Sequence, residues 1–374
     1  FKHILKENDA NRIIQTVDPI YKHFLIHKRV LGKYTLSEKE EKIVNILEVT
    51  GPNALVKIYD RMTNNFEFIL EIKTNNKIKR KKILNKEKLM SLVRSNKSEE
   101  RKAAYKSLFN VYKNNSGVLG EIYLNLIVQW HDENIKIRGF DSPISVRNVY
   151  NDISDTVVST LLDTCQKNSF IFHKYFNLKA KMLKLKKLER YHLYAPLVKK
   201  GIIQKKYTYE QAINIVLNVF ESFEPKFRDY AEIVFNKNHV DAEIRKGKMS
   251  GAFCSTITPK LTPYVLLNYD GMYRDISTMA HEFGHAIHSI CSSNLPIAVS
   301  HAPLPLAETA SVFAEMLLNE KLAEEMTEQE RSILLAEQID DMYATIMRQS
   351  YFTLFEIDEH NKVIENNATI DNIS

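Results

Sequence analysis

Turn-forming residues are scarce along this chain, which holds only 10 glycines and 10 prolines among 374 residues. An average protein has roughly 7% and 5% of them. With so few places to reverse direction, the sequence predicts a mainly α, multi-helix fold. The apolar share of 44% and charged share of 26% belong to a folded globular chain rather than a disordered one. Apolar residues recur at helical spacing from Ile4 to Asn64, and Ser37 with Glu40 predicts a capping box. Phe66 to Ile83 instead alternates about Asn75 and Asn76, which predicts a hairpin whose lysines face water. The helical period returns from Ser98 to Trp130 and from Val157 to Leu183.

Pro196 breaks that period near Glu189 to Lys200, so a boundary is expected there: residues 1–188 form an N-terminal helical lobe with the hairpin, and 189–374 a second domain. The second opens with two helices over Tyr207 to Phe235. A short β-prone run, Thr262 to Gly271, then ends in an Asp-Gly turn signal, placing a small sheet just ahead of another helix.

Charge and cysteine usage narrow the partners. The net charge of +6 draws on the run TNNKIKRKKILNKEK. Lacking the interleaved aromatics and glycines of nucleic-acid binders, that run reads as a solvated face, and no nucleic-acid partner is expected. Cys165, Cys254 and Cys291 are odd in number and far apart, which suits a reducing compartment rather than a disulfide framework, and Cys254 and Cys291 are expected to be small buried thiols. No apolar run reaches the roughly 18 residues of a membrane span, and the start has no signal-peptide core. A cytoplasmic location without membrane contact is expected.

The helix after the small sheet carries MAHEFGHAIHSI, Met279 to Ile290. One turn apart on one face, His281 and His285 can point at a single Zn2+ ion, and Glu282 is offset so that its carboxylate can reach a water there. Asp275 or Ser277 can cap the helix start, and Met279, Phe283, Ile287 and Ile290 supply an apolar face. Catalytic zinc usually takes a third protein ligand. The metzincin pattern fails, since His288 stands where it needs Gly and Cys291 where it needs His. The downstream segment APLPLAETASVFAEMLLNE offers a helix instead, with an apolar stripe of Leu306, Thr309, Val312, Phe313 and Met316. Glu308 near its start is the favoured third ligand, because a carboxylate there is out of place on packing grounds; Glu315 and His288 are the alternatives. His288 and His301, like Glu315, are also candidates for supporting the ligands from behind. The run Tyr264 to Tyr269 is expected to offer a strand edge to an extended peptide, the alternative being an internal core strand, with Gly251, Phe253, Tyr264, Leu266 and Asn268 as substrate contacts. Gly251 serves either a close backbone approach or a turn.

The stretches GKMSGAFCSTITPKLTPYVLLNYDGMYRDISTMAHEFGHAIHS and HAPLPLAETASVFAEMLL resemble the core of oligoendopeptidase F, within the thimet-oligopeptidase-like zinc metallopeptidases. LERYHLYAPL is similar to another block of that family, with His192 where the block has Asp, and DDMYATIMRQSYFTLFE to its Arg-Gln helix. YKHFLIHKRVLGKYTLSEKEEKIVNIL looks like its lid region. The resemblance implies one zinc ion on His281, His285 and Glu308, with Glu282 as general base. It implies an ellipsoid with a deep channel admitting short unfolded peptides, whose internal bonds are hydrolysed. It also implies a catalytic domain that continues past Ser374 into a segment with His and Tyr residues that hold the scissile carbonyl. The competing expectation is a zinc-binding piece of such an enzyme with weak catalysis.

Overall fold

The computed structural model describes residues 6–74, 77–83, 86–197, 206–245, 248–249, 251–365 and 367–373. Helices dominate, as the shortage of turn residues predicts. The first are α1 (Glu7–Thr16), α2 (Pro19–Gly32), α3 (Glu38–Thr50) and α4 (Pro52–Asn64). A hairpin of β1 (Phe68–Thr74) and β2 (Lys77–Ile83) precedes α5 (Lys86–Ser91), α6 (Ser98–Asn114), α7 (Ser116–Trp130), α8 (Pro143–Tyr150), α9 (Asp155–Lys167) and α10 (Phe170–Met182). Then come α11 (Tyr209–Phe223), α12 (Pro225–Asn236) and three short strands, β3 (Val240–Asp241), β4 (Phe253–Ser255) and β5 (Tyr264–Leu266). The chain continues through α13 (Tyr273–Cys291), α14 (Leu304–Glu325), α15 (Glu328–Met342), α16 (Gln349–Ile364) and α17 (Ile370–Ile373). Among the described residues no helix is long and apolar enough to cross a membrane.

Local signals explain several boundaries. The capping box before α3 is present: Ser37 accepts the Glu40 N–H, and Glu40 accepts the Ser37 N–H at 2.9 Å. Thr208 and Gln211 repeat the device before α11. Proline stands in the first turn of α4, α8 and α12, where its missing N–H costs nothing.

Two compact units emerge from the contacts. One takes the described chain up to Arg29 and from Lys206 to Arg331; the other takes Val30 to Leu197 and Ser332 onward. The first unit is built around Val216, Phe220, Val234, Val265, Met279, Phe283 and Leu318, contributed by α11, α12, β5, α13 and α14. Its sheet runs β3-β5-β4, with β5 parallel to β3 and antiparallel to β4, where Cys254 faces Val265. This corrects the expectation of an open edge at Tyr264 to Tyr269: β5 is the central strand, and the edge falls to β4. Gly251 ahead of β4 has φ +81 with open space where a Cβ would sit, so it serves the turn rather than a close approach.

In the second unit the hairpin lays Phe68, Leu70 and Ile83 against Ala103 and Ala104 of α6. Its residues Lys79 to Lys82 are exposed as expected, and such a charged edge discourages further strand pairing; Asn75 and Asn76 lie outside the described residues. His192 is buried and joins α6 to its own turn, its Nδ1 accepting the Glu189 N–H at 3.0 Å and its Nε2 lying 3.2 Å from Ser98 Oγ. Nearby, the fully buried Lys179 ammonium donates to Asp340 at 2.5 Å and to the Leu193 carbonyl at 2.6 Å. Tyr175 donates to the other Asp340 oxygen at 2.8 Å. A paired charge in such a place is tolerated, but an unpaired one is not. Asp340→Ala should therefore cost about 3–5 kcal/mol in denaturant unfolding, and combining Lys179→Met with Asp340→Leu should recover most of that loss.

Candidate metal centre

Helix α13 begins earlier than its polar residues suggest. Met272 occupies the cap position, and Asp275 ties the start from within the first turn by accepting the N–H groups of Asp270 and Met272, both at 2.9 Å. Met279, Phe283 and Ile287 are buried as expected, and Ile290 packs partly against the same core. With that face committed to the interior, His281 and His285 project together from the neighbouring one, their ring centroids 5.0 Å apart.

The partner helix is arranged differently from the expectation. Leu306, Val312, Phe313 and Met316 of α14 are all exposed, and its buried side consists of Ser311, Ala314 and Leu318. The reason lies opposite, at Gly284 of α13. A Cβ built there would come within 2.6 Å of the Ala310 carbonyl oxygen, 2.8 Å of Ser311 Cα and 2.9 Å of Ala314 Cβ. The helices meet backbone to backbone, so only small residues fit between them and the large apolar ones turn outward.

This close approach brings Glu308 to the two histidines. Its Oε2 lies 3.4 Å from His281 Nε2 and its Oε1 3.7 Å from His285 Nε2, and one ligand atom from each residue falls within 4.8 Å of the others. Ligands about 2.1 Å from a tetrahedral zinc stand roughly 3.4 Å apart, so the spacing and the N, N, O donor set fit that ion. The Glu308 side chain is 58% exposed. Its fitness as a third donor thus rests on convergence with the histidines, and not on the packing conflict that the sequence suggested.

Further groups hold the donors in place. Glu315 accepts from His281 Nδ1 at 2.5 Å, behind the nitrogen that faces Glu308, and Ser277 donates to its other oxygen at 3.3 Å. Ser311 donates to Glu308 Oε2 at 2.8 Å. Outer hydrogen bonds of this kind fix ring tautomers and carboxylate rotamers. Sequence reasoning missed Ser311 and gave Ser277 a different task; one signal was available, since Ser311 lies one helical turn after Glu308. His288 is half-buried and His301 exposed, and neither joins the donor group.

Glu282 is 6% exposed and accepts the backbone N–H of Cys254 on β4. Burial pushes its carboxyl up to about 7, with the charge of His281 opposing and that of Glu308 adding. Burial lowers the His285 pKa, which favours the neutral ring that a metal ion requires. Burial works against a charged His281 too, but the hydrogen bond and charge of Glu315 outweigh it and raise the pKa. Burial, followed by the nearby Glu282, pushes the Cys254 thiol up to about 12, which removes it as a nucleophile. Cys291 is exposed, contrary to expectation, because it closes the last turn of α13.

Of the expected substrate contacts, Gly251, Phe253 and Tyr264 are exposed, while Leu266 and Asn268 are half-buried. The Asn268 amide donates to the Met249 and Gly251 carbonyls at 3.0 and 2.8 Å, bracing the turn before β4. The structure brings these residues together around β4 and β5.

The contact at Gly284 can be tested alone. Gly284→Ala should destabilise the chain by about 1–3 kcal/mol through overpacking, and should weaken zinc binding in a chelator competition although no donor is touched. An unchanged zinc affinity would dissociate the helix contact from the site.

Comparison with known proteins places the chain in a family. The chain is 31% identical over 268 residues to the chromosomal oligoendopeptidase F of Lactococcus lactis subsp. cremoris, covering 71% of this chain and 44% of that protein. It is 32% identical over 346 residues to an oligoendopeptidase F homolog of Borreliella burgdorferi, covering 88% and 55%. The chain spans about half the length of the curated relatives it matches. Among solved structures, a putative peptidase from Chlamydophila abortus superposes with a TM-score of 0.83 at 26% identity, over 99% of this chain and 61% of that one. The oligoendopeptidase-F of Enterococcus faecium shares the fold, with a TM-score of 0.65 at 20% identity over 98% and 58%. The model of peptidase family M3 matches residues 91–374, a span that includes α13 and α14 entire, and the chain belongs to that family.

Proposed function

We propose that this chain carries the site of a zinc-dependent endopeptidase that hydrolyses internal bonds of short oligopeptides. The observation that carries the reading is the meeting of three donors, His281, His285 and Glu308, beside a buried carboxylate, Glu282, whose carboxyl burial pushes upward. Family membership supports oligopeptide hydrolysis.

His281 and His285 would hold one zinc ion through their Nε2 atoms and Glu308 through a carboxylate oxygen. Zinc, when bound, polarises the peptide carbonyl and acidifies the attacking water. Glu282 takes the proton of that water and returns it to the leaving amine. A pKa near the working pH suits both halves of the exchange. Glu315 and Ser277 hold the His281 ring, and Ser311 holds the Glu308 carboxylate.

An extended peptide would add to the free edge of β4, with Gly251 and Phe253 beside it and Tyr264, Leu266 and Asn268 supporting from β5 and the adjoining turn. Main-chain pairing of this kind tolerates varied side chains. It would also lay the scissile bond near Glu282, which is hydrogen-bonded to the same strand. In this reading residues 189–374 hold the catalytic portion and 1–188 the lid-like lobe, although by contacts residues up to Arg29 belong to the unit with the metal centre and Ser332 onward to the other, and a channel admits the peptide. The cytoplasm is the proposed location.

Two substitutions separate the roles. Glu282→Gln should keep stoichiometric zinc yet lower cleavage of a quenched fluorescent peptide of about ten residues by at least about 100-fold; a variant that still cleaves removes Glu282 as the base. Glu308→Ala should instead lose zinc in metal analysis, and full retention would pass the third-ligand role to another residue.

A further inference from the structure

In the second unit, α7 and α16 lie side by side with Tyr123 and Phe355 stacked, ring centroids 6.3 Å apart. Beside them lies an open, shallow cavity of about 360 Å³ lined by Tyr123 of α7 and by Gln349, Phe352, Thr353, Phe355 and Glu356 of α16. Gln349, Phe352, Thr353 and Glu356 recur at helical spacing, so α16 presents them as one stripe. A π-helical turn, Tyr343–Arg348, ends just before this stripe. Such a turn adds about one residue and so resets the facing of the helix that follows, a feature often found next to functional sites. The Arg-Gln motif spans that junction, yet the proposed peptidase chemistry makes no use of it.

The lining has an unusual chemistry. It contains three aromatic rings, two neutral hydrogen-bonding groups and one carboxylate, and no described lysine or arginine. Phe352 and Phe355 remain 54% and 43% exposed, leaving ring surface open to a ligand. Thr353 donates to the Gln349 carbonyl at 3.1 Å, so the hydroxyl lone pairs are left as acceptors. Burial, then the charges of Glu356 and Glu359, push the Tyr123 phenol up to about 12; Lys362 pairs with Glu359 at 2.8 Å, so Glu356 is the carboxylate that acts on the lining. Ring faces beside a carboxylate attract a cation on an apolar stem more than either an anion or a neutral alkyl group.

We propose that this cavity binds the alkylammonium group of a peptide, from a lysine side chain or a free amino terminus. The stem lies against Phe352 and Phe355, and the head reaches Glu356 with Gln349 and Thr353 as acceptors. The volume suits one such group rather than a folded partner. Nothing in this inference depends on the peptidase reading, because binding is measured without metal or cleavage.

The test is titration of the metal-free chain, followed by NMR, with N-acetyl-lysinamide, leucinamide and the neutral N-acetyl-norleucinamide. One or both cations should bind in the millimolar range, with the neutral analogue at least about fivefold weaker. The cation that binds better identifies side chain or amino terminus as the source. Glu356→Gln should weaken that cation about fivefold and Phe352→Ala about threefold, with circular dichroism unchanged because both side chains are exposed. The Glu356 variant also separates this cavity from the carboxylates of the metal centre. Equal binding of the neutral analogue, no binding of either cation, or full affinity in Glu356→Gln would each overturn the proposal.

Discussion

The contact of α13 with α14 at Gly284 is the constraint on which the site depends. Two helices whose backbones approach this closely cannot carry large side chains at the crossing, and Ala310, Ser311 and Ala314 meet that demand. The reward is reach. A glutamate side chain is short, and its carboxylate stands 3.4 and 3.7 Å from two imidazoles on another helix only because the helices have come this near. The same approach lets Glu315 touch His281 from behind and gives Ser311 both a buried position and a hydrogen bond to Glu308. A pair of helices thus supplies donors and supports together, a more rigid arrangement than loops would give.

Electrostatics then make the cluster a place for a cation. Glu282, Glu308 and Glu315 surround His281, and like charges held close in a partly buried site cost free energy. A divalent ion offsets that cost, and by mass action it would stabilise the folded chain as it binds. Glu282 feels the strain most, since burial and the neighbouring carboxylate both favour its protonated form. The property that destabilises it as a structural residue suits it to exchange a proton near neutral pH.

Much of the fold was legible because the signals are local. Helical periodicity marked α1 to α4, α11 and α12, the Ser37 box located the start of α3, and alternation found the hairpin. The histidines of α13 were legible for the same reason, since helix geometry alone sets their relation. What failed was tertiary. The apolar residues of α14 were assigned to the interior, but Gly284 demands small residues there, and that demand comes from a different helix. The run at Tyr264 looked like an edge because nothing local says that β3 and β4 flank it on both sides. The π-helical turns at His131–Ile137 and Tyr343–Arg348 left no sequence mark, because one extra residue in a turn hardly alters the apolar period.

The most direct test of the account is X-ray absorption spectroscopy at the zinc edge on the zinc-loaded chain, which counts donor types and distances around the ion. The account predicts two imidazoles and carboxylate or water oxygen at about 2.0–2.2 Å, with no sulfur. A sulfur shell near 2.3 Å or a third imidazole would contradict it, because the donors would then lie outside the set that the meeting of α13 and α14 brings together.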